Sequence, residues 1–204
     1  MARWANPVTT QEELALLFGS PARASLAKEV SFVHPCYRAL IEASPFFVLA
    51  TSGPGGLDAS PRGDAPGFVV VEDETTLLIA DRRGNNRIDS LTNIVADPRV
   101  ALLFLVPGKG ETLRVNGRAE IVADPLLLER FAVDGKAPKC VIAVTVETVF
   151  FQCARAILRS GLWDAPAAPG LPSAGQMLAA LSADDFDGAA YDRALPGRQR
   201  DTLY

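Results

Sequence analysis

The feature that most restricts the fold is a series of apolar runs with strand character between residues 45 and 151. Residues 111–122 alternate, with Leu113, Val115 and Gly117 on one side and Arg114, Asn116 and Arg118 on the other. A period of two over that length specifies a strand with one covered face. Residues 141–151 make a second long run, rich in the β-branched residues that suit a pleated, half-buried surface. Shorter runs cover residues 46–51, 57–61, 68–71, 76–80 and 100–106. Turn clusters such as Ser52-Gly53-Pro54-Gly55-Gly56 and Pro107-Gly108-Lys109-Gly110 separate them. Connections this short join antiparallel neighbours, and the regular strand-helix alternation of a doubly wound sheet is absent. The expected architecture is therefore mainly β, an antiparallel barrel with one inserted helix and peripheral helices.

The flanks have a different pattern. Residues 9–44 are expected to be helical, beginning where Thr10 precedes Gln11, Glu12 and Glu13, a cap followed by acidic residues that suit the helix dipole. Leu14, Leu16, Leu17 and Phe18 form its apolar face and Gly19 stops it. A second helix is expected over residues 21–30 and a third over 35–43, with Pro35 in its first turn. This region holds no catalytic signature and is read as a packing cover. After residue 165 the chain is rich in Ala, Pro, Gly and Asp, with one helix expected over 173–181 and an exposed tail over 193–204. The expected organisation is a helical cover (1–44), a barrel (45–164) and a C-terminal extension (165–204).

Composition narrows the function. A chain of 204 residues with net charge -4 is not a general nucleic-acid binder, which would be basic. No apolar run is long enough for a membrane span or a signal segment. Cys36, Cys140 and Cys153 lie far apart without metal-ligand spacing, which suits reduced thiols in a cytoplasmic protein. His34 is the single histidine, so neither a histidine metal site nor a Ser-His-Asp triad is expected, and His34 itself is read as a helix-start or surface residue. Chemistry in such a chain would be carried by a bound cofactor.

The segment from Asp81 to Leu91 points to an anionic one. Arg82, Arg83, Gly84, Asn85, Asn86 and Arg87 follow an apolar strand and precede Ile88, Leu91, Ile94 and Val95 at helical spacing. Guanidinium groups beside free backbone N–H groups at a helix start make an anion site, and Asn85 or Asn86 is placed to cap that helix. The alternative is a solvated turn with an ordinary cap.

Several stretches, taken in order, resemble the pyridoxamine 5'-phosphate oxidase-like, FMN-binding split-barrel family. They are residues 44–51 (SPFFVLAT), 59–64 (ASPRGD), 84–91 (GNNRIDSL), 97–104 (DPRVALLF) and 113–119 (LRVNGRA). The resemblance spans about residues 32–164. It implies an antiparallel split barrel, with FMN held in a groove between the two copies of a homodimer. Carried onto this chain, it places Arg62, Asn86 and Arg87 at the flavin phosphate, where charge-assisted donors are needed. Gly63 would allow close backbone approach to the flavin. Asp64 would accept from a flavin or ribityl donor or else orient Arg62, and Ser90 would add a hydroxyl or be a plain helix-surface serine. Arg114 and Asn116 would reach a flavin bound mainly by the other subunit, or form an ordinary exposed strand face. After the last long strand, Trp163 would stack near the ring or plug the barrel end, and Arg155 or Arg159 would face the pyrimidine edge.

The histidine- and arginine-containing C-terminal motif that binds substrate in true pyridoxamine 5'-phosphate oxidases is not found, so the vitamin substrate does not carry over. The expectation is an FMN-dependent oxidoreductase acting on a small molecule. Its alternatives are a flavin (less readily haem) store or sensor, and an anion-binding domain without cofactor.

Overall fold

The computed structural model describes residues 5–164, 166, 168–182 and 186–201. It contains one seven-stranded antiparallel sheet in the order β2-β1-β5-β6-β7-β4-β3. The central strands are the long alternating ones. β6 (Thr112–Val122) buries Leu113, Val115, Gly117 and Ala119 and turns Arg114, Arg118 and Glu120 to solvent. It pairs with β7 (Val141–Gln152) along its whole length. The register shifts between Asn116 and Gly117, leaving Glu147 of β7 unopposed. Gly117 is required beside this bulge, because a Cβ there would stand 2.1 Å from the Thr145 carbonyl oxygen.

On one side of β6 follow β5 (Arg99–Leu105), β1 (Phe46–Gly53) and β2 (Gly56–Gly63), the last two forming a hairpin. On the other side of β7 lie β4 (Thr76–Ala80) and β3 (Val69–Asp73). β2 and β3 end the sheet without pairing, so the barrel is split at that seam. Phe47 of β1 and Phe68, just before β3, span the seam with stacked rings 5.7 Å apart. Phe47, Leu49, Leu77, Ile79, Leu102, Phe104, Leu113, Val115 and Ile142 fill the interior with almost no exposure. Each such side chain contributes about 1.5–3 kcal/mol.

Two helices cover this core. α3 (Pro35–Ala43) starts with Pro35 at its first turn, and His34 caps it, Nδ1 accepting from the Cys36 N–H at 3.2 Å. Its Ile41 is fully buried, and the helix packs on β3, β6 and β7. α4 (Asp89–Ala96) follows β4 and packs on β1, β2 and β6 through Ile94. A short helix, α5 (Pro125–Glu129), joins β6 to β7 and is capped by Asp124. α6 (Arg155–Ser160) follows β7 and ends at Gly161 in the left-handed region, φ 57°.

The N-terminal part matches its expected pattern in α1 (Gln11–Phe18). Thr10 and Glu13 form a reciprocal capping box there and Gly19 ends the helix. The second helix is shorter than expected: α2 spans Arg23–Ala27, not 21–30. Val30 instead makes an isolated bridge to Val149. α7 (Ala174–Leu181) lies against α8 (Gly188–Asp201), with Gly175 and Gly188 in close contact. Residues 193–201, expected as an exposed tail, are thus helical, with Asp192 accepting from the Gly175 N–H at 2.7 Å and from Ser173. The rest of that expected tail, 202–204, lies outside the described residues. No helix among the described residues is long and apolar enough to cross a membrane.

Candidate functional site

A cavity of about 670 Å³ opens at the seam of the barrel. One wall is the end of β2, with Pro61, Arg62 and Gly63. Another is the segment from Ala80 to Ile88, together with Leu91. The third is residues 136–140, leading into β7, and Phe68 adds an aromatic surface. The sheet order explains the meeting: β2 and the end of β4 are remote in the sheet, and closure of the barrel brings them together.

The walls carry Arg62, Arg82, Arg83, Arg87, Lys136 and Lys139 against a single carboxylate, Asp81. Arg62 extends from β2 with Nη1 donating to the Pro61 carbonyl at 3.0 Å. Its Nε is buried and has no hydrogen-bond partner. Arg87 is largely exposed and pairs through Nε with Asp89 at 2.5 Å, which leaves its terminal nitrogens as donors. Asn85 accepts from the Arg87 backbone N–H at 2.9 Å, and Asn86 sits in the left-handed region at φ 58°. This Asx turn corrects the expected cap. α4 begins at Asp89, its N-cap is Ile88, and no side chain caps it. The asparagines shape the approach to the helix instead.

Burial pushes the Asp81 carboxyl up, while Arg62 and Lys139 pull it down. Cys140, buried beside it, has its thiol pushed up by burial and by the Asp81 charge.

Of the expected site residues, Arg62, Gly63, Asn86 and Arg87 share this cavity. Gly63 has another reason to be glycine than approach to a ligand: a Cβ there would lie 3.2 Å from the Pro45 carbonyl oxygen and 3.5 Å from the Phe46 ring. Asp64 does not line the cavity and engages Arg82 rather than Arg62. Its Oδ2 is 3.0 Å from Arg82 Nε, and the pair is mostly buried. Arg82 also donates to the Phe131 carbonyl at 2.7 Å, so this pair braces the wall. Ser90 is neither a cavity donor nor a surface serine. It is buried and donates to Asp58 Oδ2 at 2.7 Å, with Ser60 donating to the same oxygen at 2.9 Å. The two hydroxyls hold the Asp58 carboxyl below its ordinary value and tie α4 to β2.

The remaining expected residues stand away from the cavity of their own chain. Arg114 lies over the Phe150 ring at 5.1 Å, and Asn116 is half-buried at the bulge. Trp163 donates from Nε1 to the Lys109 carbonyl at 2.7 Å, bracing the β5–β6 turn. Arg155 and Arg159 lie in the first and last turns of α6. Sequence reading passed over Asp81, Lys136 and Lys139 as site residues. The lysines stand in a connection without a motif, and only the tertiary fold brings them to the cavity.

The fold and the charged seam define a split-barrel protein with a groove lined mainly by cationic side chains. The sequence model for pyridoxamine 5'-phosphate oxidase matches residues 33–153, more than half of the chain, and the protein belongs to that family. No curated protein matches the sequence. Among solved structures, HupZ from Group A Streptococcus is 21% identical, covering 56% of this chain and 90% of its own, with a TM-score of 0.46. General Stress Protein 26 from Bacillus anthracis is 18% identical over 56% of this chain and 88% of its own, TM-score 0.43. An FMN-binding protein from Syntrophomonas wolfei is 11% identical over 56% and 86%, TM-score 0.42.

Proposed function

We propose that this protein is a homodimeric, FMN-binding oxidoreductase acting on a small molecule, with the flavin seated in the seam cavity. The observation that carries the reading is the buried, unpartnered Nε of Arg62. A buried donor without a partner is costly, and a bound phosphate oxygen would supply the missing acceptor. The cationic walls suit a dianionic phosphate. Family membership supports the same cofactor, since FMN is what the resemblance implies.

In this reading Arg62 and Arg87 hold the phosphate from two sides, and Asn86 turns the chain so that backbone N–H groups face it. Phe68, Ile88 and Leu91 give the apolar surface that a flavin ring needs. FMN, when bound, would supply hydride or one-electron transfer. The chain would position it, exclude water and stabilise negative charge. Arg114, Asn116, Arg155, Arg159 and Trp163 belong to this proposal as groups that a second copy would present.

The test is to purify the protein, release any chromophore and identify it by mass, then follow anaerobic reduction and nicotinamide oxidation. FMN at about one per chain with turnover is expected. A colourless protein that takes up no FMN overturns the cofactor assignment. A loaded protein that no reductant turns over overturns the oxidoreductase assignment. A monomer in sedimentation that still binds FMN tightly overturns the dimer.

A further inference from the structure

Lys139 carries an inference that deepens, and rests on, the FMN reading. It lies between α5 and β7, in a connection whose geometry is fixed. Val133 and Lys136 exchange backbone hydrogen bonds of 3.1 and 2.9 Å around Asp134 and Gly135, both in the left-handed region at φ 51° and 74°. The neighbour of Lys139, Cys140, accepts from the Asp81 N–H at 3.0 Å. The backbone beside Lys139 is therefore stitched to the end of β4.

Its side chain crosses toward the α4 approach, with Nζ 3.4 Å from Asn86 Oδ1. The Asp81 carboxyl feels the charges of both Arg62 and Lys139. Three segments distant in sequence (β2, the α4 approach and the α5–β7 connection) thus converge on one part of the cavity. An ammonium has three donors, and the contact with Asn86 uses one. Asp89 and Asp64 answer Arg87 and Arg82, and Asp81 is the one carboxylate in the cavity wall. The two positive charges of Arg62 and Lys139 exceed the one negative charge of Asp81, and an anionic group would offset the excess.

We propose that Lys139 is a third cationic anchor for the ligand's phosphate, supplied by the α5–β7 connection, and that it makes the cavity selective for phosphorylated over unphosphorylated flavin. Arg62 gives a planar fork with fixed direction. Lys139 gives a point charge on a flexible stem, which tolerates small shifts of the phosphate.

The test uses the full chain with three probes: FMN, riboflavin and inorganic pyrophosphate. Lys139 is exposed, so its substitution spares the core. Lys139→Gln is expected to weaken FMN and pyrophosphate roughly tenfold while leaving riboflavin within about twofold, and Lys139→Arg to restore most of the loss. Unchanged FMN and pyrophosphate affinities in Lys139→Gln overturn the proposal. So does an equal loss for riboflavin, which would make Lys139 a general wall residue. A chain that binds pyrophosphate through Lys139 but takes up no flavin keeps the anchor and refutes the FMN reading. FMN binding indifferent to Lys139 does the reverse.

Discussion

Replacing Arg62 by methionine should move the flavin-free and flavin-bound proteins in opposite directions. In the free protein, Arg62 Nε is buried without a partner, a state that costs about 1–3 kcal/mol. Methionine keeps a long flexible stem and removes the polar head. The substitution also loses the 3.0 Å bond from Nη1 to the Pro61 carbonyl, worth about 0.5–1.5 kcal/mol. The central values leave the free protein about 1 kcal/mol more stable than the parent, within a range of about 0.5 kcal/mol less to about 2.5 kcal/mol more. At about 2–4 °C per kcal/mol for a chain of this size, the central value is a rise in Tm of roughly 2–4 °C. With FMN the sign reverses. A charge-assisted bond of about 1.5–3 kcal/mol is lost, which weakens FMN roughly ten- to a hundredfold. At a fixed excess of FMN, the ligand-induced rise in Tm should shrink by about 3–10 °C.

Arg62 also helps to keep Asp81 ionised. Its removal pushes that carboxyl further up, so the folded state holds the proton more tightly than the unfolded chain. The stability gained is therefore present at the acidic end and lost as pH rises through the Asp81 range. Thermal unfolding with and without FMN, followed from neutral pH down through the carboxylate range, reads all three effects. A free variant several degrees less stable than the parent, with an undiminished response to FMN, would show Arg62 to be a structural residue and refute the reasoning.

Two further outcomes follow from named contacts. Ser90→Ala leaves Asp58 with one hydroxyl donor fewer and should destabilise the protein by roughly 1–2 kcal/mol in thermal unfolding, loosening α4 from β2. Because Asp58 is held below its usual value of 3.8, the deficit should be full above that value and close as pH falls through the depressed range; a pH-independent deficit would refute the network. The Arg155 backbone N–H lowers the Cys153 thiol, while burial raises Cys140, so a thiol-alkylating reagent near neutral pH should modify Cys153 before Cys140 in peptide mass analysis, and the opposite order would refute this.

The strands were legible because alternation survives into three dimensions. The burial of Leu113, Val115 and Gly117 against Arg114 and Arg118 repeats the sequence pattern residue by residue. The position of the cationic segment was legible for the same local reason, since Arg87 and the asparagines sit between a strand and a helix and line the cavity. What could not be read depends on partners far along the chain. Asn85 has the residue type of a cap, yet its oxygen serves the Arg87 N–H, and the helix starts later. Asp64 follows Arg62 and Gly63 in the chain, but its strand ends there, and its carboxylate meets Arg82 across the seam. Ser90 lies one turn past Arg87, but α4 turns it inward to Asp58. Lys139 belongs to a connection with no periodicity and reaches the cavity only because β7 lies beside β4.

The residues that stand off the cavity lead to the last prediction. Arg114 is on the solvent face of β6, opposite the buried Leu113 and Val115, with its guanidinium over Phe150. The sheet itself lies between that face and the interior, and β6 is a central strand remote from the seam. Under the proposed function Arg114 would act on a flavin only across an interface with a second copy, and its effect should depend on association. Arg114→Glu places a carboxylate where the proposed dimer would bring flavin and cation together. Above the dimer dissociation constant it should weaken FMN by roughly tenfold or break the dimer outright. Diluted below that constant, parent and variant should bind FMN alike. Flavin fluorescence over a dilution series, with sedimentation at the same concentrations, reads both. An Arg114→Glu variant that stays dimeric and binds FMN as the parent does would assign Arg114 to an ordinary exposed strand face.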